Sequence, residues 1–141
     1  MLKNFFKKQK KESSNNKNIL VTALLIHAAK IDENYTEIEK KIITKAIINL
    51  NEISPDEAEE ILKLAEKKEE KSNQIVEFTR EIKQYPMEFR LKIIEIIWKI
   101  VYSDGTSDTY ESSLIRRICG LLYISDKDNG IIKTNVKNLL K

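Results

Sequence analysis

A pattern that occurs twice, 72 positions apart, constrains this chain more than any other feature. Leu24, Leu25 and Ile26 align with Ile96, Ile97 and Trp98, and Ala28-Ala29 with Ile100-Val101. Asp32 aligns with Asp104, Thr36 with Asp108, Glu39 with Glu111, and Ile42-Ile43 with Leu114-Ile115. After one residue of slip, Ile53-Ser54 falls on Ile124-Ser125. Each copy reads as an apolar helix, an aspartate, a short turn, an N-cap, a glutamate three residues on, a second apolar helix, and Ile-Ser capping a third. The spacing therefore predicts two related helical hairpins, with two further helices between them.

The rest of the chain agrees with helices. Three glycines and two prolines in 141 residues are too few for a turn-rich sheet protein. Apolar residues recur at helical spacing from Asn18 onward. Helix starts are expected at Asn18, after Thr36, after Ser54 with Pro55 in the first turn, near Ser72, at Met87, after Asp108 and after Ser125. The expectation is an all-α fold, a compact bundle of about seven helices. The most apolar of them, Met87–Tyr102, is placed at its centre, with Trp98 in the core. Glu66–Lys71 reads as a solvated or frayed charged end. Tyr123 and Ile124 read as partly exposed, Arg116-Arg117 as a solvated face, Cys119 as buried and inert, and His27 as packed rather than ligating.

Charge is uneven. Residues 1–17 hold six lysines and one glutamate, while the remainder holds nineteen basic and twenty-one acidic side chains. The domain division is thus a basic tail over 1–17, with 7–18 a disordered linker, and a helical domain over 18–141. A nearly neutral body is a poor nucleic-acid binder. Leu2, Phe5 and Phe6 among Lys3, Lys7 and Lys8 fit peripheral contact with an anionic membrane through residues 1–11. A single cysteine and the lack of an export signal point to the cytoplasm, with the tail allowing a place at the inner face of the membrane.

Several chemistries are excluded. Gly105, Gly120 and Gly130 form no phosphate-cradling motif. One Cys and one His cannot build a Cys/His zinc site, and no local signature supports a Cys-His nucleophile. What remains are the duplicated acids Asp32, Glu39, Asp104 and Glu111. If the hairpins pack about a pseudo-twofold axis, these four carboxylates converge, and oxygen ligands suit Ca²⁺, Mg²⁺ or Mn²⁺. Asp104 to Glu111 spans eight residues, against the twelve of an EF-hand loop. The competing reading is that Thr36/Glu39 and Asp108/Glu111 are capping boxes and Asp104-Gly105 is turn chemistry.

The stretch Trp98–Leu122, with Val101-Tyr102-Ser103-Asp104-Gly105, Glu111 and Leu114-Ile115-Arg116-Arg117, resembles the tellurite-resistance TerB family and its TerB-like relatives. Ala28-Ala29-Lys30-Ile31-Asp32 with Glu39 resembles the family's first copy of that element. The resemblance implies a compact all-α domain without established catalysis. It also implies a link to tellurite and other chemical stress, membrane-associated protein assemblies, and a metal site that maps to Asp32, Glu39, Asp104 and Glu111. The expected function is a non-catalytic interaction module with protein partners. The alternative is a metal-dependent hydrolase using the same carboxylates, against which stands the lack of a His, Lys or Ser partner beside them.

Overall fold

The computed structural model describes residues 2–30, 35–72, 74–103 and 109–139, with side chains for all of these except 2–15 and 109–112. Seven helices account for the described residues: α1 (Leu2–Ala29), α2 (Glu37–Asn51), α3 (Pro55–Lys71), α4 (Ile75–Ile82), α5 (Met87–Tyr102), α6 (Thr109–Leu121) and α7 (Asp126–Leu139). No strand occurs among them, so the fold is all-α as the pattern requires.

The duplication is visible in the helix starts. α2 and α6 begin 72 positions apart, at Glu37 and Thr109, and α3 and α7 begin 71 apart, at Pro55 and Asp126. The third-helix caps match in detail. Ser54 Oγ accepts from the Glu57 N–H at 3.2 Å, and Ser125 Oγ accepts from the Asp128 N–H at 3.1 Å. Each bond satisfies one of the amides a helix start leaves unpaired.

Two expectations about α1 need correction. Residues 7–18 were expected to form a non-helical linker, yet α1 runs without a break from Leu2. This segment has no apolar stripe, but it also has no Gly or Pro, and five of its twelve residues are lysine. Once residues 18–29 are helical, good helix formers extend the helix at little cost. The second correction concerns the centre. α5 was expected there and packs against α1, α2, α6 and α7, but α1 shares the place, packing against α2, α3, α4, α5 and α6. Val21 and the run Ala23–Ile26 are fully buried, with Ala28 and Ala29 nearly so, which makes this half of α1 apolar all round. α5 buries as many core residues as α1: Ile93, Ile94, Ile96, Ile97, Trp98, Ile100 and Val101.

Side-chain locks join the layers. Lys17 lies over the rings of Tyr85 and Phe89 at 4.3 and 4.1 Å, tying α1 to the α4–α5 corner. Burial there pulls the Lys17 pKa down. Trp98 Nε1 donates to Asn129 Oδ1 at 2.9 Å, fixing α5 to α7. α6 ends in a Schellman turn: the Tyr123 N–H bonds the Gly120 carbonyl at 3.3 Å and the Ile124 N–H bonds the Cys119 carbonyl at 2.8 Å. Tyr123 takes the left-handed position with φ of 57° and is exposed, while Ile124 turns inward. The expectation that both were exposed thus holds for Tyr123 and fails for Ile124, because the turn reverses the chain between them.

Cys119 is buried, and burial followed by the charge of Asp126 pushes its thiol from 9.0 up to about 12. A raised folded-state value means that stability is intact below pH 9 and declines as pH rises toward 12, where the unfolded thiol ionises and the folded one does not. Cys119→Ala should flatten this alkaline limb in urea melts taken at several pH values. An unchanged slope would show that the thiol is not its source.

Candidate metal centre

The first duplicated turn leaves α1 at Ala29 and enters α2 at Glu37. Thr36 caps α2 with extended backbone. Its Oγ1 accepts from the Glu39 N–H at 3.1 Å, while Glu39 Oε1 accepts from Thr36 N–H at 2.9 Å and from Thr36 Oγ1 at 3.0 Å. This is a complete capping box, so the structural reading of Glu39 holds. Glu39 is nevertheless buried, at 8 % exposure, which is unusual for a capping carboxylate at a helix start.

Acids surround the same corner. The Tyr35 hydroxyl donates to Glu66 Oε1 at 3.1 Å. Burial raises the Tyr35 pKa, and the charge of Glu66, the bond to it, and the charges of Glu37 and Glu39 raise it further. Two lysines stand by the same ring: Lys30 and Lys40 lie 5.7 and 5.0 Å from the Tyr35 centroid. Deeper in, Glu69 is 8 % exposed, accepts from Lys30 Nζ at 2.7 Å and faces His27 Nδ1 at 3.3 Å. A buried carboxylate paired in this way is costly to strand by removing its partner.

Glu69 is the exception to the reading of Glu66–Lys71 as a solvated charged face: Lys67, Lys68, Glu70 and Lys71 are exposed, and the run does not fray, since α3 continues to Lys71. The signal was in the spacing. Ala58, Ile61 and Ala65 mark the buried stripe of α3, and one further turn along it is Glu69. His27, expected to be packed, is partly exposed and turned toward that glutamate.

Of the four duplicated acids, the described residues place two. Glu39 and Glu111 are each the third residue of their helices, α2 and α6. Glu111 is described as backbone only, and Asp32, Asp104 and the expected cap Asp108 lie outside the described residues. Among the described residues, no three His, Cys, Asp or Glu side chains stand together as metal ligands. The donor set is all carboxylate oxygen, which fits a hard cation. One oxygen of Glu39 is already engaged by the cap.

Comparison with known families matches the chain to the model "Tellurite resistance protein TerB" over residues 18–134. No curated protein and no solved structure matches the chain. The match takes in both hairpins, both caps and the two helices between them, and on that extent the chain belongs to the TerB family.

Proposed function

We propose that this TerB domain is a non-catalytic interaction module of tellurite and chemical-stress resistance. Its two repeated turns hold a divalent cation through Asp32, Glu39, Asp104 and Glu111. The observation that carries the reading is positional: the duplicated glutamates sit at the same register of α2 and α6, so a pseudo-symmetric packing brings equivalent acids to equivalent ends. The cation, of the Ca²⁺, Mg²⁺ or Mn²⁺ class, would fix the two turns relative to each other and so set the surface offered to protein partners. The test is thermal: a divalent cation should raise the melting temperature by mass action, and Asp104→Asn should remove the gain.

The domain acts in the cytoplasm, against the inner face of the membrane. No helix among the described residues is long and apolar enough to cross a bilayer. Contact instead comes from residues 1–11, where Leu2, Phe5 and Phe6 lie among lysines. Removing residues 1–11, which spares the Lys17 anchor on Tyr85 and Phe89, should leave the melting temperature unchanged and reduce co-sedimentation with phosphatidylglycerol vesicles. Equal sedimentation of both forms would dismiss the membrane role.

A further inference from the structure

A groove of about 510 Å³ runs between α2 and α5, closed at one side by the end of α7. Its floor is apolar: Ile42, Ala46 and Leu50 from α2, Ile96 from α5, and Val136 and Leu139 from α7. Its rim is basic, with Lys45 on the α2 wall and Lys92 and Lys99 on the α5 wall. Among the described residues, the one acid in the lining is Glu95, 3.6 Å from Lys99. Large apolar side chains remain exposed at its margins. Leu139 is 73 % exposed, and Ile38, one turn before Ile42 on α2, is 62 % exposed.

The shape is that of a missing helix. On α2 the lining follows positions 42, 45, 46, 49 and 50, and on α5 positions 92, 95, 96, 99 and 103, the repeat of a helix face. From Lys92 to Ser103 this face extends roughly 16 Å, about three helical turns. Two parallel ridges of this kind form the trough into which a third helix packs. The lysines stand on both sides of the trough, so the complementary helix carries carboxylates along both flanks of its apolar stripe. A second copy of this chain does not supply it. The acid-rich helix α3 exposes Leu64 as its one large apolar side chain among the described residues.

We propose that this groove seats an acidic amphipathic helix of a partner protein, about three turns long, with leucine-like residues on the apolar floor and Asp or Glu against Lys45, Lys92 and Lys99. The proposal rests on reading the domain as an interaction module, but it uses a different surface. Glu39, the one of the four acids whose side chain is described, does not line the groove, and cation titration and peptide binding are separate readouts that can fail separately.

The probe is a synthetic peptide of about 14 residues, with Leu at helical i, i+3, i+4 and i+7 spacing and Glu on the flanks. Its partner probe has every Glu replaced by Lys. Amide shifts of the ¹⁵N-labelled full chain are followed by NMR, and affinity by anisotropy. The Glu peptide should shift residues of α2, α5 and the end of α7, weaken as salt rises toward roughly 0.5 M, and bind at least about tenfold more tightly than the Lys peptide. Lys92→Glu with Lys99→Glu should invert that preference. Ala46→Trp, which fills the apolar floor, should abolish binding while circular dichroism reports an intact fold. Equal binding of the two peptides, shifts confined to other helices, or no shift at about 1 mM peptide would overturn the proposal. So would phosphatidylglycerol vesicles producing the same groove shifts when the Glu peptide does not, since the groove would then face lipid.

Discussion

Trp98→Ala should lower stability by about 3–5 kcal/mol, the largest loss expected from any single truncation in the chain. Trp98 is 1 % exposed and sits at the end of a run of buried α5 residues. Truncation leaves a cavity that the surrounding isoleucines, stiff at χ1, cannot collapse to fill. It also removes the Nε1 bond to Asn129, the stack on Tyr102 at 5.6 Å, and the surface under Lys133 at 5.1 Å. Two of these three contacts reach α7, whose Val136 is its one buried residue, so α7 should loosen first. The measurement is a urea or thermal melt, where a fall of roughly 10 °C in midpoint is expected. A midpoint equal to that of the parent would contradict the placement of Trp98 in the core. Trp98→Phe separates the two parts: it keeps most of the volume and loses the Asn129 bond, so its cost should be clearly smaller.

Arg90→Ala should be the next most damaging change, at about 2–4 kcal/mol, although Arg90 is an only partly buried, charged residue. Arg90 stands in the first turn of α5 and reaches two helix ends at once. Its Nε donates to the Tyr85 carbonyl just after α4 at 2.9 Å, and its Nη1 donates to the Leu122 carbonyl just after α6. The Leu122 carbonyl is one that a helix terminus leaves unpaired, and the Tyr85 carbonyl belongs to the turn between α4 and α5. A guanidinium can donate to two separated oxygens from one fixed plane, and an ammonium cannot match that geometry. Arg90→Lys should therefore recover little of the loss. Full stability of Arg90→Lys would show that charge, and not the fork, holds the corner.

The sequence made some features legible and concealed others for physical reasons. The caps Thr36, Ser54 and Ser125 and the bounds of α5 could be read because local chemistry decides them: a hydroxyl bonds an amide three residues on, and Tyr85-Pro86 stops α4. The duplication was readable because equivalent helices bury equivalent faces. The helical state of residues 2–17 was not, since it rests on propensity and on propagation from the core rather than on an apolar stripe. The hub role of α1 was hidden by the same convention. A stripe was sought, whereas residues 21–29 are buried on nearly every side. Glu69 was missed because a charge inside a run of lysines and glutamates looks solvated, and only the register of Ala58, Ile61 and Ala65 assigns it to the buried face. The groove left no local signal at all. It arises where Ile42 and Ala46 of α2 meet Ile96 of α5, a pairing that tertiary packing sets.

The central claim, that the duplicated acids form one cation site, separates from capping alone in a calorimetric titration of the full chain with Ca²⁺, Mg²⁺ and Mn²⁺. A cation site predicts saturable heat for at least one of these ions, lost in Asp32→Asn and in Asp104→Asn alike, because each turn supplies half of the ligands. Glu39→Gln adds the discriminating case: glutamine still completes the Thr36 cap, so stability without metal should change little while cation affinity falls. The contrary result is no heat from any of the three ions at millimolar concentration, with Glu39→Gln indistinguishable from the parent, which would leave the four acids as turn and cap residues only.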